Sequence, residues 1–81
     1  MKISLNPVSP NHNEVCIGGA QLVFSYKTLV AFCDGDGKRY QSAKKFSATT
    51  SKHISASGYK DAVKVDQDEL EKMADYETGN G

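Results

Sequence analysis

Tryptophan is absent from these 81 residues, and there are only two cysteines, two prolines and two methionines. The cysteines, Cys16 and Cys33, are too few for a disulfide scaffold. Without a secretory signal they are expected to be reduced thiols packed as small hydrophobes. Nor are they expected to hold a metal together with His12 and His53, because no C-x-x-C or H-x-x-x-H spacing fixes two ligands locally. Long apolar runs are missing too. The longest are a few residues, far short of the roughly 20 that cross a bilayer, so no membrane segment is expected. The start, Met1-Lys2-Ile3-Ser4-Leu5-Asn6-Pro7, lacks the apolar stretch and small-residue site of a secretory signal, and a cytoplasmic location is expected.

Catalytic patterns are equally scarce. A Cys33–His53 nucleophile pair lacks a third orienting group, and Gly18-Gly19 is too short to cradle a phosphate. Neighbouring carboxylates occur only at Asp68, Glu69 and Glu71, where a helix N-terminus already favours negative charge. Asp34-Gly35-Asp36-Gly37-Lys38 resembles a calcium loop, but with Gly37 at the glycine position the first and last ligands fall on Phe32 and Ala43. The segment reads as a turn. The expectation is a protein that is not an enzyme and carries no cofactor or metal.

What is present is an ordinary folding composition, 38% apolar and 25% charged, in a chain long enough for one modest core. Residues 1–81 are therefore expected to form a single domain, with residues 6–13 as a loop and residues 77–81 as a disordered tail. Net charge is zero, yet it is unevenly placed. Lys38, Arg39, Lys44, Lys45, Lys52 and Lys60 fall in residues 38–60 without one acid, a net of +6. Residues 61–81 carry −5 and residues 1–37 carry −1. Such polarity points to an anionic partner, unless the acidic segment folds back over the basic one.

Period-2 alternation runs through Leu22, Phe24, Tyr26, Thr28, Val30 and Phe32, which is strand sequence. Its length calls for a break near Lys27-Thr28. A strand at Lys2–Leu5, a Gly18-Gly19 hairpin, and a second hairpin pairing Leu29–Cys33 with Lys38–Ser42 complete the early sheet. Lys44–Ala48 is expected to extend or bend the last strand, with Phe46 as an anchor. A short helix over Ser51–Gly58, capped by Thr49, Thr50 or Ser51, precedes a short strand at Val63–Val65. Asp66 and Glu69 open a final helix over Gln67–Tyr76, whose Leu70, Met73 and Ala74 form one apolar stripe. The fold class is α+β: a small antiparallel sheet of hairpins packed by a C-terminal helix, with a second short helix.

With the short helix starting at Ser51, Lys52 and His53 fall in its first turn, where acids are favoured. An anion bound there would resolve the conflict. The candidate anion or partner site is accordingly Lys38, Arg39, Tyr40, Lys44, Lys45, Phe46, Thr49, Thr50, Ser51, Lys52 and His53.

Ser25-Tyr26-x-Thr28-x-Val30-Ala31-Phe32, followed by Lys44-Lys45-Phe46-Ser47-x-Thr49-Thr50-Ser51-Lys52-His53-Ile54, resembles a family of small bacteriophage proteins that form a domain of unknown function. The resemblance spans residues 21–76, with Leu29 where proline is expected in many relatives. It implies a phage or prophage origin and supplies no activity, catalytic residues or cofactor. The expected role is an accessory protein that binds a host or viral protein in the host cytoplasm. The alternative is nucleic-acid binding through residues 38–60, with Tyr40 or Phe46 stacking on a base. An edge-paired homodimer is also compatible with so small a sheet.

Overall fold

The computed structural model describes residues 3–77. Six strands form one sheet in sequence order: β1 Ile3–Ser9, β2 His12–Ile17, β3 Ala20–Ser25, β4 Thr28–Cys33, β5 Arg39–Ser42 and β6 Val63–Val65. Neighbours pair antiparallel except β5 and β6, which are parallel. Parallel neighbours need a crossover, and helix α1, Ala48–Ala56, lies within it. Helix α2, Gln67–Glu77, closes the described chain. The fold is α+β, as the hairpin pattern implies.

The expected loop at residues 6–13 is instead most of a hairpin, in which Pro7 pairs with Asn13 and Ser9 with His12. Proline is tolerated because β1 is an edge strand, where a missing N–H need not break a central ladder. Pro10 and Asn11 make the turn, and Asn11 takes φ 65°, a conformation open to asparagine. Glu77 belongs to α2, while residues 78–81 of the expected tail lie outside the described residues. The break in the long alternating segment falls at Tyr26-Lys27, since Ser25 pairs with Thr28.

Sheet register sorts the core into two layers. Ala20, Leu22, Leu29 and Phe32 meet Leu70 and Ala74 of α2 on one face, with Tyr40, Val65 and Met73 packed around them. Val23, Val30 and Ala31 meet Ile54 of α1 and Tyr59 on the other. The register shift between Val23 and Phe24 explains why Val30 leaves the face of Leu22 and Phe32. A bulge places two residues of one strand against one of its partner. The helices therefore cover opposite faces of the sheet.

Helix α1 begins earlier than expected. Ser47, with extended backbone, is its N-cap and accepts from the Thr50 N–H at 3.3 Å. Residues 43–47 consequently form an irregular approach to the helix instead of a strand extension, and Phe46 is half-buried against the Ile54 layer. Gly58, just past the helix, takes φ 86°, which ends the helix at no steric cost.

Candidate functional site

On the α1 face, Lys44, Lys45 and Lys64 surround a groove of about 420 Å³ floored by Gln41 and Ile54, with Ser51 on its helical wall. A smaller depression beside it adds Lys60 and Ser55. None of the residues lining either space is acidic. Lys64 arrives through the parallel β5–β6 pairing, which sets it beside Gln41. Gln41 is held by its own bonds, donating to the carbonyls of Lys60 and Ala62 at 2.9 Å each. The groove floor is thus fixed while its lysines are exposed. The helix that carries most of the acids, α2, packs on the opposite face of the sheet.

Beside this groove α1 seals a buried polar network. His12 and His53 stack with ring centroids 4.6 Å apart and planes 20° from parallel. The Ser57 hydroxyl donates to Glu14 Oε2 at 2.7 Å, so its oxygen must accept from His12 Nε2 at 2.6 Å. On the other ring, Ser47 donates to Thr50, Thr50 meets Ser25 at 3.0 Å, and Ser25 meets His53 Nδ1 at 2.8 Å. The Thr50–Ser25 and Ser25–His53 contacts can each be donated from either end. Burial and the adjacent His53 hold His12 below its usual value of 6.5, with Glu14 pulling the other way. Two cations at this spacing would repel by about 3–4 kcal/mol at an effective dielectric near 20.

As catalytic machinery the network is wrongly ordered. Its sequence is carboxylate, serine, histidine, whereas an activated serine gives its proton to a histidine oriented by the carboxylate. The Ser25–His53 pair has the right contact but its serine is 2% exposed, leaving little access for a substrate. Asp34 Oδ1 accepts from the N–H groups of Asp36 and Lys38 at 3.0 and 2.9 Å, the hydrogen bonding of a turn. Cys16 and Cys33 are free. Among the described residues no three His, Cys, Asp or Glu side chains cluster as metal ligands, and no helix is long and apolar enough to cross a membrane.

The expected site residues divide. Lys44, Lys45, Phe46 and Ser51 come together at the groove. Thr50 and His53 turn inward into the network, while Thr49 and Lys52 stand exposed on α1 outside the groove lining. Arg39 is occupied, donating to the Gly58 carbonyl at 2.9 Å and lying over the Tyr59 ring at 5.5 Å. Tyr40 packs on the α2 face, stacked 6.3 Å from Phe32 with Lys38 over its ring, so it cannot serve the α1 face. The charge conflict inferred at the helix start is also removed. With Ser47 as cap, Lys52 and His53 lie beyond the first turn, and His53 is in the last.

Lys64, Gln41 and Ser55 escaped sequence reasoning, as did His12, Glu14, Ser25 and Ser57. The alternation Val63-Lys64-Val65 marks Lys64 as facing away from Val65, but nothing local says which strand it joins. The network has weaker signals still, because His12 and Ser57 are 45 residues apart.

Fold and groove together define a small α+β domain with a helix on each face of a six-stranded sheet. The chain belongs to the family of unknown function DUF8033, whose model matches residues 3–72. No curated protein and no solved structure matches it.

Proposed function

We propose that this chain is a non-catalytic binding protein whose lysine groove, between α1 and strands β5 and β6, takes an acidic segment of a host or viral protein. The observation that carries this reading is the placement of the acidic helix and the lysine groove on opposite faces of the sheet. Lys44, Lys45 and Lys64 therefore keep their field for a partner. A small phage-encoded accessory protein working in the host cytoplasm suits that role, in keeping with the bacteriophage resemblance. Nucleic acid is the second reading, favoured by the same unscreened lysines. It fits less well because the whole chain is neutral, and because Tyr40 and Phe46 pack into the protein and are not free to stack on bases.

Tagged wild-type protein and the Lys44→Ala/Lys45→Ala/Lys64→Ala variant separate the readings in host lysate, with and without nuclease. One stoichiometric protein should be captured by the wild type after nuclease and lost with the variant. Exposed ion pairs contribute roughly 0.2–1 kcal/mol each, so three lysines correspond to about tenfold in affinity. Capture that disappears with nuclease would favour nucleic acid. Capture unaffected by the variant would sink the groove as the binding site.

A further inference from the structure

We propose that the stacked His12–His53 pair is an acid-sensitive latch: it holds α1 on the sheet while both rings are neutral and releases the helix in mildly acidic solution. The latch has little apolar reinforcement. Of the three buried residues of α1, Thr50, His53 and Ile54, only Ile54 is apolar, so α1 is joined to the sheet largely through the two histidines and their hydroxyl partners.

The groups that face the pair decide how it titrates. Glu14 of β2 reaches His12 through Ser57, Ser25 of β3 and Thr50 of α1 reach His53, and the Tyr26 ring lies 6.3 Å from His53 in the β3–β4 turn. Burial and the adjacent His53 disfavour a positive charge on His12, and Glu14 offsets them in part. A first proton is taken up against burial, with Glu14 beside it. The second is opposed on two counts: like charge in a ring 4.6 Å away and burial of both rings. Strongly interacting sites lose and gain protons in two steps that belong to the pair. Opening α1 separates the rings and admits water, so the second proton and the opening are coupled. The device stands apart from the identity of any partner, although release of α1 would remove one wall of the lysine groove.

Histidine ring resonances and hydrogen exchange of the full chain test this between pH 7.5 and 5. The ring signals should titrate in two steps. Protection of the α1 amides, corrected for intrinsic exchange, should fall at least tenfold with the second step while β3 and β4 stay protected. His12→Gln/His53→Gln should keep α1 protected at pH 7.5 and abolish the loss at pH 5. Unchanged α1 protection in the wild type, or a loss of equal size in the variant, would overturn the latch. Should the double variant fail to fold, the wild-type data decide: exchange that follows a proton uptake other than that of the two histidines would equally refute it.

Discussion

Tyr26 holds φ at 58° with half its surface exposed, and its N–H donates to the Asn11 carbonyl at 2.6 Å. A left-handed conformation costs a bulky residue roughly 1–2 kcal/mol. Asparagine tolerates it better, so Tyr26→Asn should raise stability by about 0.5–1 kcal/mol, read as a higher urea midpoint at unchanged slope. His12 is the residue through which pH enters. Its folded value lies below 6.5, so the unfolded chain takes up the proton first as pH falls. The stability it confers is complete above 6.5 and declines below it, toward the lower folded value. Urea midpoints between pH 8 and 5 should therefore fall on the acid side, and His12→Gln should flatten that part of the curve.

Among the elements, α1 is held by its cap and by few contacts, and α2 by packing. Ser47→Ala removes the side-chain acceptor for the Thr50 N–H and should cost about 1 kcal/mol, with the largest rise in hydrogen exchange inside α1. Leu70, fully buried at the centre of the α2 layer, is a heavier loss. Leu70→Ala should cost about 2–5 kcal/mol, enough to leave an 81-residue chain largely unfolded in moderate urea. Helix α2 was legible in the sequence because Leu70, Met73 and Ala74 mark its inner face at helical spacing. Helix α1 was misplaced by three residues because Ser47, Thr49, Thr50 and Ser51 are all competent caps. Contact of Thr50, His53 and Ile54 with the sheet, a tertiary matter, selects Ser47 and the start at Ala48.

For the whole molecule, the segregated charge is the property that matters. If the groove acts alone, Asp68→Asn/Glu69→Gln on the opposite face should leave partner affinity unchanged, whereas the lysine triple variant should lower it about tenfold. Capture should also weaken as salt rises, because exposed charges are screened within a Debye length of about 8 Å at physiological ionic strength. By itself the sequence determined the hairpins at Gly18-Gly19 and around residues 34–38, the final helix and the uneven charge, since alternation, turn residues and helical spacing act between near neighbours. It did not determine the β1–β2 hairpin. Only the tertiary structure decided which face each helix covers, that β6 joins β5 in parallel, and that His12 meets His53. Those outcomes depend on the register of six strands and on a bulge at Val30, where one residue's shift turns a side chain to the other face. The acidic helix does not cover the lysine groove for that reason, because it packs behind the sheet.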